Sequence, residues 1–285
     1  MKKLIKYIPI FLVSVILTNC AKDEVYEVIT EPRTELDVAY GSDVAQKMDI
    51  YLPAGRSQGA TKVLVLIHGG GWMAGDKTNM ASFVPKFQTH LKDYAVVNLN
   101  YRLATFTPRY MLPTQTDDIR SAMDYIEDRT EEFGVSDEFV LLGLSAGGHL
   151  AMLYSYKYDT DRRVQAVVNI VGPSNLNDDY YNNNSLFSFA MNYIIAPENL
   201  PSGTTHNVFA SPVTWISSRS QPTISFYGSA DDLIPQSQHT ALEEKLNQFN
   251  VPNEKYIYTG GHEVGFKQAD DIVAKTKVFL AKHVR

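Results

Sequence analysis

The chain has 285 residues, 44% of them hydrophobic and 20% charged, with a formal net charge of -6 at pH 7. This is ordinary globular composition, long enough for one large core, and one α/β domain fits the length better than two small ones. No basic block or aromatic-interleaved basic patch occurs, which argues against nucleic acid as a partner.

The N-terminus reads as an export signal. Lys2, Lys3 and Lys6 precede the apolar run "YIPIFLVSVIL", which is too short for a comfortable membrane span. The tail "LTNC" resembles a bacterial lipobox, with Asn19 where Gly, Ala or Ser is usual. The resemblance implies a leader over residues 1–19, lipidation at Cys20 and an exported lipoprotein, periplasmic or on the cell surface, held to the membrane through that anchor only. Cys20 is the one cysteine, so the mature chain has no thiol for a disulfide, a nucleophile or a metal site. Residues 20–35 read as a polar tether, and residues 36–285 as the domain.

Along the domain, "VYEVITEPRTELDVAYG" and "QKMDIYLPAG" read as short strands ahead of the main rhythm, hence as antiparallel edge strands. "TKVLVLI", "YAVVNLNY", "EFVLLG", "VQAVVNIVG", "PTISFYG" and "EKYIYT" follow as further strands, most of them apolar throughout. Between them, "TQTDDIRSAMDYIEDRTEEFG", "GHLAMLYSYKY", "QSQHTALEEKLNQFN" and "KQADDIVAKTKVFLAKHV" read as helices. Apolar strands alternating with helices predict a mostly parallel sheet covered on both faces. Function in such sheets gathers at the carboxyl ends of the strands.

Four sets of polar equipment stand at those ends: "HGGGW" from His68, "GLSAG" around Ser145, "GSADDLIP" with Asp231 and Asp232, and "GGHEVGF" with His262. A serine hydroxyl needs a base within hydrogen-bond reach, and the base needs a partner that fixes its tautomer. Acyl transfer also develops an oxyanion, which backbone N–H groups on a glycine loop can stabilise by about 3 kcal/mol per donor. Ser145 alone could be a helix N-cap. Glycines at 143 and 147 fit a tight strand-to-helix turn better, because a cap needs neither.

Taken together, "HGGGW", "NYRLA", "GLSAGGHLA", "ASPVTWIS", "GSADDLIP" and "GGHEVGF" resemble the carboxylesterase and lipase branch of the α/β-hydrolase superfamily, in particular compact esterases that carry HGGGW, including enzymes that deacylate plant polysaccharides. The resemblance implies an α/β-hydrolase fold and a serine carboxylic-ester hydrolase without a cofactor. Its implied substrate is a small acyl or aryl ester, and export with a lipid anchor suggests acetyl or feruloyl groups on an extracytoplasmic glycan. It implies Ser145 as nucleophile, His262 as general base, Asp231 as the acid that orients it, and the N–H groups of Gly70, Gly71 and Ala146 as oxyanion donors. Spacing alone leaves Asp231 and Asp232 both open, one of them free to cap the following helix.

Arg102 in "YRLA" reads as a brace paired to a carboxylate such as Asp118. His68 reads as ordering the glycine loop, and His149 as structural. His90, His206, His239 and His283 carry no motif and are expected on the surface. No spacing suggests a metal site. Trp72 could line an acyl pocket or fill core. The stretch 174–212 reads as a cap-like insertion, in which Tyr180, Tyr181, Phe187, Phe189 and Tyr193 could wall the substrate or pack on the body. Two other functions compete with ester hydrolysis: an amidase, formamidase-type or small peptidase activity, and a catalytically silent binding lipoprotein.

Overall fold

Apolar strands alternating with helices assemble into one eight-stranded sheet in the computed structural model, which describes residues 26–107, 109–196 and 200–284. The leader and Cys20 lie outside the described residues. The strands are β1 (Arg33–Ala39), β2 (Lys47–Leu52), β3 (Lys62–Ile67), β4 (Tyr94–Leu99), β5 (Phe139–Leu144), β6 (Val164–Ile170), β7 (Thr223–Gly228) and β8 (Asn253–Tyr258). Their order is β1-β2-β4-β3-β5-β6-β7-β8. β1 and β2 run antiparallel at one edge, and the rest are parallel. This is the fold that the sequence pattern predicts.

The pleat of β3 shows why its run is apolar throughout. Val63, Val65 and Ile67 enter one core with Ile119, Leu150 and Leu242, while Leu64 and Leu66 enter a second with Phe83, Phe87, Ile272 and Phe279. The first core is closed by α2 (Thr114–Glu127), α4 (Ala146–Leu153) and α8 (Gln236–Gln248), the second by α1 (Val84–His90) and α10 (Ala269–His283). Between β6 and β7 the chain makes an excursion through α5 (Asp179–Asn182), α6 (Ser185–Ile194) and α7 (His206–Ala210). Two further short helices are α3 (Thr130–Phe133) and α9 (Val264–Lys267).

The structure differs from expectation in three places. The helix predicted up to Gly134 breaks after Glu127, and only the short α3 follows, ended by Gly134 at φ 61°. α1 carries no clear apolar period in sequence; Pro85 in its first turn starts it, and Val84 and Phe87 bury its inner face. The segment assigned to a tether, 20–35, packs onto the domain where it is described. Ile29 bridges Arg56, β1 starts at Arg33, and the buried Arg56 guanidinium donates to the carbonyls of Glu31, Pro53 and Phe133.

The junction between β5 and α4 is packed backbone against backbone near the sheet's carboxyl edge. A Cβ on Gly147 would stand 2.1 Å from the Ile67 carbonyl oxygen and 2.5 Å from that of His68; one on Gly143 would stand 2.0 Å from the Gly147 oxygen. All are backbone atoms of β3, the start of the glycine loop and α4, so no side chain can yield. Gly147→Ala is therefore expected to destabilise the fold by about 1–3 kcal/mol or more, lowering the midpoint in a thermal-unfolding scan by several degrees.

Candidate active site

The serine of the elbow sits one residue beyond β5 and one before α4. Its backbone is held at φ 55°, ψ -121°, a conformation costly for a residue with a side chain. Ser145 N–H donates to Ile170 O on β6 at 2.8 Å, and Ser145 O accepts from His149 N–H at 3.1 Å. The turn is thus pinned from the next strand and from the helix that it opens.

His262 follows β8 and Asp231 follows β7, so three strand ends converge on one point. The Ser145 hydroxyl donates to His262 Nε2 at 3.0 Å, and His262 Nδ1–H donates to Asp231 Oδ2 at 2.8 Å. The second carboxylate oxygen, Oδ1, accepts from Leu233 N–H and Ile234 N–H, each at 2.9 Å. Asp231 is buried, which by itself would raise its pKa. The bonds from His262 and from the two backbone N–H groups outweigh burial and hold the carboxyl below its ordinary range. Geometry therefore distinguishes the adjacent acids: Asp231 both faces His262 and ties down the turn before α8. Asp232 is exposed, lines the mouth of the neighbouring cavity, and its carboxylate has no partner among the described residues.

The glycine loop after β3 lies directly against the elbow. A Cβ on Gly69 would meet Leu144 O at 2.9 Å and Ser145 Cβ at 3.0 Å. The N–H groups of Gly70, Gly71 and Ala146 donate to no acceptor among the described residues, while Gly70 O accepts from Met73 and Ala74 N–H to close the turn. His68, kept below its usual pKa by burial, donates from Nδ1 to Gly69 O at 2.7 Å. Its ring stacks on Tyr101 at 4.3 Å, and the Tyr101 hydroxyl donates to His68 O. Arg102 pairs with Asp118 as the sequence suggests. Its Nε is 3.0 Å from both carboxylate oxygens, and its N–H donates to Oδ2 at 2.8 Å. The "YRLA" turn is thus a brace under the glycine loop.

A cavity of about 250 Å³ opens beside Ser145 and Ala146, walled by Gly71, Trp72, Tyr180, Tyr181, Phe187 and Leu233. Tyr181 stacks on Phe187 at 4.3 Å and donates its hydroxyl to Leu233 O at 3.0 Å; the Tyr180 hydroxyl donates to Asp232 O. Three of the five insertion aromatics therefore line the cavity. Phe189 and Tyr193 do not; they pair with each other and, through Tyr193, with Phe106. Trp72 is both cavity wall and buried residue, and its Nε1–H donates to His149 Nδ1 at 3.0 Å.

Sequence reasoning missed the two N–H groups that grip Asp231 and the double hydrogen bonding of His149, since both arise from turns that no residue pattern announces. His239 is a correction: it is buried at 7% exposure against Tyr227 instead of lying on the surface. Among the described residues no group of three or more His, Cys, Asp or Glu side chains could hold a metal, and no helix is long and apolar enough to cross a membrane.

The family model BD-FAE matches residues 48–246. The chain belongs to the BD-FAE family. The BD-FAE match takes in the glycine loop, Ser145 and Asp231 and ends before His262. Esterase LipC of Mycobacterium tuberculosis is 24% identical over 245 residues, covering 82% of this chain and 60% of its own length. The probable carboxylic ester hydrolase LipM of the same organism is 27% identical over 237 residues, covering 78% and 53%. The chain thus spans between half and two thirds of the length of these relatives. Among solved structures, a bifunctional GH43-CE protein of Bacteroides eggerthii superposes with a TM-score of 0.72 at 24% identity, covering 88% of this chain and 38% of the other. A truncated carbohydrate esterase from gut microbiota gives 0.70 at 19%, covering 90% and 99%. These likenesses establish the α/β-hydrolase fold.

His149 generates a prediction about acid. Burial pushes its pKa down from 6.5 to about 4, so the unfolded chain binds more protons between those values. The stabilisation is therefore complete above pH 6.5 and is lost progressively as pH falls towards 4. The gap corresponds to about 3 kcal/mol. Urea midpoints measured across that window should fall with acid in the native protein, and fall less in His149→Gln, which cannot titrate.

Proposed function

We propose that the protein is a serine carboxylic-ester hydrolase working through an acyl-enzyme. The observation that carries this reading is the continuous hydrogen-bonded line Ser145–His262–Asp231, built from three separate strand ends and abutting a cavity. Ser145 Oγ attacks the ester carbonyl as His262 Nε2 takes its proton. Asp231 holds the tautomer that leaves Nε2 free to accept, and it stabilises the imidazolium that forms. The developing oxyanion falls to the N–H groups of Gly70, Gly71 and Ala146, which have no competing acceptor among the described residues. His262 then protonates the departing alcohol, and water, activated by the same imidazole, releases the acid.

The substrate is a small acyl or single-aryl ester. At about 250 Å³ the cavity falls below the roughly 300–1,000 Å³ of pockets that hold drug-sized ligands. The walls from Trp72, Tyr181 and Phe187 offer apolar and aromatic contact, which suits acetyl or feruloyl groups carried on glycans. The names of the relatives, esterases and carbohydrate esterases, support this class. The leader pattern ending at Cys20 supports export and a lipid anchor, placing the substrate outside the cytoplasm. Loss of lipid labelling and of membrane retention in Cys20→Ala is the result expected.

Hydrolysis of nitrophenyl esters from acetate to octanoate tests the chemistry. Turnover should be greatest for the shortest acyl groups and vanish in Ser145→Ala. Asp231→Asn should lower kcat on the order of 10⁴-fold, and Asp232→Asn far less. Amide turnover in place of ester turnover, or no labelling of Ser145 by a fluorophosphonate, would overturn the reading in favour of an amidase or a silent binding protein. The unpaired Asp232 carboxylate at the cavity mouth also disfavours anionic acyl groups. Asp232→Asn should raise the ratio of hemisuccinate to butyrate turnover roughly threefold to tenfold, an effect that shrinks as salt is added.

A further inference from the structure

His149 lies inside α4, wholly buried, four residues after Ser145. Its two ring nitrogens face different parts of the molecule. Nδ1 meets the indole N–H of Trp72 at 3.0 Å, and Nε2 meets the carbonyl oxygen of Ala210 at 2.7 Å. An indole N–H only donates and a carbonyl only accepts. The pair of contacts therefore permits one form of the ring alone: neutral, with the proton on Nε2. Protonating Nδ1 would abolish the bond to Trp72.

The two partners matter because of where they sit. Trp72 ends the glycine loop at φ 63°, a strained setting for a bulky residue, follows Gly71 directly and walls the cavity. Its carbonyl is held by Ala104 N–H. Ala210 closes α7, the limb by which the insertion returns to β7. That limb is locked to the outgoing one. Ser211 Oγ accepts from Leu176 N–H at 2.8 Å, Val213 N–H donates to Ser174 O at 3.1 Å, and Gln238 Oε1 accepts from the N–H groups of both Ser174 and Asn175. The insertion whose Tyr180, Tyr181 and Phe187 line the cavity thus has a fixed base, and the His149 side chain joins this base to Trp72, which lines the same cavity.

We propose that His149 is a positioning residue that sets the Trp72 wall, and with it the width of the acyl cavity, by bridging the glycine loop to the base of the insertion. It touches neither substrate nor reacting atoms, so its removal changes which acyl groups are accepted more than it changes the chemistry of the shortest ester. Only the kinetic readout rests on the ester-hydrolase reading; the indole readout does not.

The test compares His149→Phe, which fills the space without either bond, with His149→Gln, whose amide offers one acceptor and one donor. The chain has two tryptophans, so Trp215→Phe as background leaves Trp72 as the sole indole emitter. In His149→Phe the Trp72 emission should shift, because its N–H loses a buried partner. KM for butyrate and hexanoate esters should rise on the order of tenfold relative to acetate, the size expected from the lost bond that bears on the cavity, Trp72 to His149. His149→Gln should restore both. Should His149→Phe fail to fold, His149→Asn replaces it, since its amide ends short of Nε2 and cannot span both partners. A folded Phe or Asn variant with native Trp72 emission and native acyl selectivity would overturn the proposal. So would a folded Gln variant that restores stability but neither emission nor selectivity. If no ester is turned over by any form, the hydrolase reading fails by itself, and the emission of Trp72 still decides the role of His149.

Discussion

The contact on which the site depends is backbone against backbone. Gly147 at the start of α4 lies on the carbonyls of Ile67 and His68, where β3 ends and the glycine loop begins. With no Cβ between them, the elbow and the loop come within van der Waals reach. That closeness puts Ser145 and the free N–H groups of Gly70 and Gly71 around one space. It also explains why Ser145 can stay in a strained conformation: its N–H is bonded to Ile170, and the helix behind it cannot move back.

Around this contact the polar parts are supplied by segments far apart in sequence, and each has a second attachment that fixes it. Asp231 would be an awkward group to bury as a lone acceptor. Two backbone N–H groups on Oδ1 and the imidazole on Oδ2 make the charged form the stable one. Burial holds the pKa of His68 below its usual value and the ring is tied to its neighbour's carbonyl, so it stiffens the loop without favouring a charge near the Gly70 and Gly71 N–H groups. Arg102 delivers its charge to buried Asp118, away from the cavity. The net effect is a site whose ionisable groups have assigned partners, except for Asp232 at the mouth.

Much of this was legible in the chain. Long apolar runs such as "VLVLI" and "FVLL" identify central strands because burial on both faces leaves no room for polar positions. Ser145 and Asp231 were legible because each stands where such a strand ends, and His262 because two glycines lead into it after the edge strand β8. The choice between Asp231 and Asp232 was not, because it depends on the direction the chain takes after β7, and two adjacent carboxylates look alike in sequence. α1 escaped for a related reason: its burial rests mainly on Val84 and Phe87, too few positions to establish a period. The break between α2 and α3 and the packing of the segment around Ile29 are tertiary effects, the latter set by backbone bonds between Ile29 and Arg56 and by the buried Arg56 guanidinium. His149 was legible as structural and no further, because its partners come from residues 77 before it and 61 after it.

The insertion divides into two parts with different physical character. Its base is held by buried hydrogen bonds through Ser174, Ser211, Gln238 and His149, each of which would leave an unsatisfied polar group if broken. Its outer part is held by two ring pairs, Tyr181 with Phe187 and Phe189 with Tyr193, and by the Tyr180 and Tyr181 hydroxyls on the Asp232 and Leu233 carbonyls, with Phe189 half exposed. Stacked rings are worth about 1 kcal/mol each beyond their buried area, and they tolerate changes of ring type better than a hydrogen-bonded base tolerates loss of a donor. Changes at the rings can therefore reshape the cavity without moving Trp72 or the elbow. A fold arranged this way fixes the elbow and the glycine loop through backbone contacts and leaves part of the cavity lining to side chains that can be exchanged one at a time.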